Sequence, residues 1–137
     1  MNKTRKSWKY IALWIASALV AIIMMVAGWA KVADAEMLVH NFSKWGYPHW
    51  FRYAVGTLEI VSSVLLLMPK FRVYGASVIG GLLIGAVWTH VAAGEYFMIP
   101  IPGILLVLSG IILVSERSRL LKILNIGRVG DRYLETK

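Results

Sequence analysis

Apolar residues in this chain fall into four long blocks separated by short polar or aromatic connectors. Residues 10–30 carry no charged side chain, a run of about 21 that, as a helix rising about 1.5 Å per residue, is enough to cross a hydrocarbon core about 30 Å thick. Lys3, Arg5, Lys6 and Lys9 precede the run and Lys31 closes it. Ala33-Asp34-Ala35 ahead of Glu36 has the form of a signal cleavage site. The run is longer than an ordinary signal core, however, and Trp29 and Lys31 stand just before the cut, so the pattern predicts a retained helix. In residues 34–50, Asp34 offers an N-cap and Leu38, Phe42 and Trp45 recur at i, i+4 and i+7. That spacing predicts a short amphipathic helix on the membrane surface, stopped at Gly46, with Pro48 suited to the first turn of the next helix. Further helices are predicted over residues 50–68, 73–93 and 97–115. Pro69-Lys70-Phe71-Arg72 and Gly94-Glu95 connect them, and Pro100 and Pro102 fall in the first turn of the last, where a missing N–H costs least.

The fold class that follows is an all-α membrane protein. A four-transmembrane-helix antiparallel bundle occupies residues 1–115, with a short interfacial helix between its first two members and a cytoplasmic, basic, amphipathic tail over residues 116–137. In that tail Leu120, Leu121 and Leu124 are placed to lie on an anionic leaflet, with Arg117, Arg119 and Lys122 facing head groups. Composition agrees: 58% of the residues are hydrophobic and the mean hydropathy is +0.66, far above an ordinary soluble domain. The net charge of +8 does not mark a nucleic-acid partner, because the basic residues gather at both ends and in one connector instead of interleaving along a face. Twelve of the fifteen Lys and Arg lie in the termini and the Lys70/Arg72 connector; only Lys31, Lys44 and Arg52 lie on the other side. This asymmetry predicts cytoplasmic N- and C-termini. Trp29, Trp45, Tyr47, Trp50, Tyr53, Trp88 and Tyr96 crowd the opposite, outer side as an interfacial belt. Cysteine is absent, which excludes disulfides, thiolate metal sites and thiol relays.

Ionisable residues inside the blocks are few. Glu59 interrupts the second, about 10 Å below the outer boundary, and His90 lies in the third, about 7 Å below it. A charge at such depth must face the bundle interior, a cavity or a partner. Lys31, at the outer end of the first helix, has a stem long enough to reach the same level. Lys31, Glu59 and His90 are therefore the candidate polar cluster, with Gly28, Gly56, Ser63, Trp88 and Thr89 as pocket or packing neighbours. The plainer reading is an ion pair that only fixes helix register. Ser77, Gly81, Gly85 and Thr89 form a ridge of small residues at four-residue spacing, expected to pack against a neighbouring helix inside the bundle or, alternatively, across a homodimer. His40 and His49 share the outer connector with no metal-ligand spacing, so no metal is predicted. No nucleophile triad or phosphate loop is present, and no catalytic residue is assigned.

Several short motifs, in order and with consistent spacing over residues 10–115, resemble the DoxX-like membrane proteins: Gly28-Trp29-Ala30-Lys31, Trp45-Gly46-Tyr47-Pro48, Gly56-Thr57-Leu58-Glu59, Leu65-Leu66-Leu67-Met68-Pro69-Lys70 and Gly85-Ala86-Val87-Trp88-Thr89-His90. The resemblance implies a four-helix protein of the bacterial inner membrane, with Lys31, Glu59 and His90 at positions where family members tend to carry polar groups. Some members are associated with membrane oxidoreductases. The expected role is a non-catalytic subunit or scaffold of a membrane assembly, partnered by the lipid bilayer and by a membrane protein or further copies of itself. The alternatives are a quinone- or lipid-binding component of a membrane oxidoreductase, in which Glu59 and His90 move protons to a quinone, and a small oligomeric transporter. No cofactor is predicted on the first reading.

Overall fold

The computed structural model describes residues 2–118 and 121, with side chains from residue 7 onward; most of the expected basic tail lies outside the described residues. The helices are α1 (Asn2–Val32), α2 (Glu36–Lys44), α3 (His49–Leu67), α4 (Arg72–Ala92) and α5 (Pro100–Ser115), with a 3₁₀ turn at Tyr96–Met98. The long helices pack in the cyclic order α1–α3–α4–α5 and back to α1, with the α1–α3 contact the most extensive.

The distribution of side chains is that of a chain dissolved in lipid. Ser17, Ser62, Ser63 and Ser109 are fully buried, whereas Ile15, Ile22, Val26, Ile104 and Val107 are exposed. The buried face of α1 reads Ser17, Val20, Ala21, Met24 and Gly28, one stripe at helical spacing. Small and hydroxylated residues inside let backbones approach, while branched aliphatics outside need no protein partner in an apolar solvent. Each buried serine is satisfied: Ser17 donates to the Leu13 carbonyl at 2.8 Å, Ser63 to that of Glu59 at 2.6 Å, and Ser109 crosses from α5 to the Ala76 carbonyl of α4 at 2.8 Å. Val20, Met24, Leu66, Ile79, Leu83 and Ile112 fill the centre.

Among the described residues, three helices are long and apolar enough to cross a membrane: α1 over Ser7–Val32, α3 and α4. The expected fourth span over residues 97–115 is divided. Its first residues form the 3₁₀ turn, and α5 begins only at Pro100, which has no N–H to continue a preceding helix. At 16 residues it rises about 24 Å.

Two further expectations change. α1 starts at Asn2, not near residue 10, because Lys and Arg are good helix formers and carry the apolar helix past its core. Asp34 is not the N-cap of α2; Ala35 holds that place. Asp34 adopts φ 57°, a left-handed conformation that Asp tolerates better than most residues, and its carboxylate turns towards α3. Gly46 ends the α2 segment at φ 78° as the sequence suggests.

The ridge of small residues on α4 also lies differently from its expected inward packing. Ser77, Gly81 and Gly85 are exposed and Thr89 half-buried. The inward face carries Val73, Ala76, Ile79, Gly80 and Leu83. Gly75 makes the close helix contact instead: a Cβ there would lie 2.6 Å from the Ser62 carbonyl oxygen and 2.5 Å from the Leu66 nitrogen. Spacing alone sets which residues share a face of α4, but not which way that face turns.

Candidate functional site

The site begins with two glycines. Where α1 crosses α3, a Cβ on Gly28 would stand 2.7 Å from the Gly56 carbonyl oxygen, and one on Gly56 would stand 2.8 Å from that of Gly28. The same ideal Cβ of Gly28 lies 3.0 Å from the Glu59 Cβ, and that of Gly56 lies 2.9 Å from the Lys31 Cβ. In this antiparallel pair each glycine sits opposite the other helix's charged residue and makes the room it occupies. Lys31 Nζ then donates to both carboxylate oxygens of Glu59, at 3.0 and 2.8 Å, and lies 3.4 Å from the Ala27 carbonyl. Both side chains are largely enclosed, at 13% and 8% exposure. Ser63 shares the face of Glu59 but donates to its backbone carbonyl.

Next along α3 is Arg52, 1% exposed. Its guanidinium donates to the Lys31 carbonyl and to Asp34 Oδ1, and stands 4.5 Å over the Tyr53 ring. The Tyr53 hydroxyl donates to the same Asp34 oxygen at 2.6 Å. Asp34 is therefore held below the usual carboxylate range, first by the Tyr53 hydrogen bond and then by Arg52. This clasp ties the end of α1 to the start of α3. It leaves α2 to fold over the gap on Phe42, which is buried against Trp45, Tyr47 and Phe51.

His90 sits in a different group. Its Nδ1 is 3.1 Å from Glu95 Oε2, and its ring meets the Trp45 indole edge-on at 5.4 Å between centroids. Lys44, at the end of α2, donates to Glu95 Oε1 at 2.7 Å. Glu95 is held below the usual carboxylate range by Lys44 first and His90 second. Beside it the Tyr47 hydroxyl and Thr89 Oγ1 are 2.7 Å apart. The structure thus pairs Lys31 with Glu59 and seats His90 with Glu95, Lys44 and Trp45. Depth along two helices was similar, but rotation about their axes sends the two side chains to different partners. Trp88 is exposed at 70%. His40 and His49 are exposed as well, the latter 5.3 Å from the Tyr53 ring.

At the other end of the helices Arg72 is also 1% exposed. It stacks 4.5 Å over the Trp14 ring, reaches Glu116 Oε1 at 3.3 Å, and lies 3.4 Å from the Leu66 carbonyl.

A family model for the DoxX-like family matches residues 15–112. The chain belongs to the DoxX-like family. No curated protein and no solved structure matches it.

In this DoxX-like protein, membership and the long apolar helices together mark a membrane protein. Residue-type reasoning passed over Arg52, Arg72, Asp34 and Glu95, because basic and acidic residues near span ends read as markers of topology. One signal was present. Arg52 lies only four residues before Gly56, on the face that carries Glu59, so an inward Glu59 turns Arg52 inward too.

Proposed function

We propose that this DoxX-like protein is a non-catalytic subunit or scaffold of a membrane assembly, and that Lys31–Glu59 is a lock on helix register. It spans a bacterial inner membrane four times with both termini cytoplasmic, α5 completing its span together with the 3₁₀ turn before it. The observation that carries this reading is the closure of the pair. Lys31 takes both carboxylate oxygens of Glu59, and the two glycine contacts leave less than a Cβ's clearance beside them. A proton carrier for a bound quinone needs a carboxylate that substrate can approach, and this one is spent on its partner.

The test compares Glu59→Leu with the double variant Lys31→Met/Glu59→Leu. The single change leaves a buried ammonium without its counter-ion and should cost about 3–5 kcal/mol of stability, most of which the double change restores. In parallel, a soluble quinone analogue is titrated into the purified protein, with Glu59→Gln as control. No Glu59-dependent binding is expected. Saturable quinone binding that Glu59→Gln abolishes would replace the scaffold reading with the oxidoreductase one.

A further inference from the structure

A cavity of about 330 Å³ opens between the end of α2 and the end of α4, lined by Lys44, Trp45, Tyr47, Trp88, Thr89 and Ala92. Its polar groups are of two kinds, and hydrogen-bond accounting fixes what each offers. Thr89 Oγ1 has a single proton, which it donates to the Gly85 carbonyl at 2.9 Å. The 2.7 Å contact with Tyr47 must then be donated by the tyrosine. Its proton spent, Tyr47 Oη presents only lone pairs, and a ligand there must be a donor. The indoles of Trp45 and Trp88 also line the cavity, and an indole π system favours a cation. Lys44 supplies the opposite property: one bond of its ammonium goes to Glu95, while the side chain is 55% exposed and keeps N–H groups for an anion. The cavity lies where α4, a helix of membrane-crossing length, ends, and the end of a helix that just spans a bilayer meets the lipid head groups.

We infer that this cavity binds the head group of a zwitterionic phospholipid with a primary ammonium, a phosphatidylethanolamine, with its phosphate at Lys44 and its ammonium at Tyr47 among the indoles. The primary amine matters because a trimethylammonium has no N–H to give to Tyr47 Oη. An anionic glycerol head group lacks the cation altogether. The acyl chains then run down the exposed apolar face of α4, past Ile84 and Val91. Nothing in this site depends on the Lys31–Glu59 lock or on the scaffold role.

The full chain, purified in detergent and stripped of lipid, is mixed with equal amounts of phosphatidylethanolamine, phosphatidylcholine and phosphatidylglycerol, and bound lipid is counted by native mass spectrometry. One phosphatidylethanolamine should be retained roughly tenfold over each competitor, the worth of one charge-assisted hydrogen bond. Tyr47→Phe should bring phosphatidylethanolamine and phosphatidylcholine to near parity. Trp88→Ala alters an exposed side chain that the fold does not use, and should weaken both while leaving the helical circular dichroism unchanged. Equal retention of the three lipids by the unaltered protein would overturn the site. So would a preference that survives Tyr47→Phe, or binding that Trp88→Ala leaves undiminished. Soluble phosphoethanolamine that competes as well as the lipid would overturn its assignment to a membrane ligand.

Discussion

Gly28 and Gly56 decide how closely α1 and α3 approach, and that closeness lets the Lys31 ammonium reach the Glu59 carboxylate. A methyl group at Gly28 would meet the Gly56 carbonyl at 2.7 Å, backbone against side chain with no flexible end to move aside. Gly28→Ala should therefore lower stability by about 1–3 kcal/mol, as overpacking does. Gly81, with nothing within 4 Å of its ideal Cβ, gives the contrast: Gly81→Ala should be neutral or stabilise by up to about 1 kcal/mol, through helix propensity alone. Denaturation of both variants in the same detergent measures the difference, and equal effects would show that close approach at Gly28 is not what holds the pair. At this scale the sequence was partly legible. Two glycines, each three residues before a charge, and two charges at one depth put Lys31 and Glu59 within reach of each other. His90 stood at the same depth on α4, but a second coordinate was needed. Its direction is set by Glu95, five residues on, in a turn whose path no helical spacing describes.

The elements around α2 behave as a cap pinned from two sides. The Arg52–Asp34–Tyr53 clasp holds the chain that leads into it, and Lys44–Glu95 holds its far end to the turn after α4, across 51 residues of sequence. The amphipathic spacing of Leu38, Phe42 and Trp45 and the stop at Gly46 were readable because local periodicity and a left-handed glycine are local properties. The pins were not, since each joins residues from separate segments. Glu95 makes one of them testable by pH. A carboxyl whose pKa drops below its ordinary 4.5 on folding stabilises the folded state above that value and loses its contribution as pH falls through the lower, folded one. The thermal midpoint in detergent should hold, as far as this group is concerned, down to about pH 5 and decline below. Lys44→Gln should lower the plateau and make the acid decline shallower. Parallel curves for the two proteins would remove Glu95 from the effect.

The whole molecule shows which global features a pattern of residue types carries. An all-helical chain with long apolar helices follows from block length and composition, and the DoxX-like motifs, read in order, match the family over residues 15–112. The packing order of the helices and the inward turn of Gly75 in place of the Ser77–Gly81–Gly85 ridge required the folded contacts, because apolar residues cover every face of a helix in lipid and amphipathicity no longer points to the core. Orientation remains a matter of charge. Twelve Lys and Arg stand at the termini and the α3–α4 connector against three at the α2 end, so alkaline phosphatase fused after Lys44 should be active and after Lys137 inactive. The reverse pattern would invert every assignment of inner and outer side.

The opposed glycine and charge pairs also bear on biogenesis. Lys31 and Glu59 are separated by 28 residues, close enough in the chain for α1 and α3 to enter the bilayer as one helical hairpin with α2 at its bend. Released to lipid alone, α3 would carry a bare carboxylate, at a cost that reaches about 3 kcal/mol at the bilayer centre and is somewhat less at the depth of Glu59. With α1 already lodged beside it, the ammonium is waiting and the hairpin partitions as a neutral unit. The register that brings each glycine opposite a charge is also the one that cancels both charges, so a slipped hairpin enters the bilayer with a penalty that the correct one does not carry. Assembly of this membrane protein should then run from its N-terminal half outward, and Glu59→Leu should slow the docking of α4 and α5 as well as loosen the finished fold.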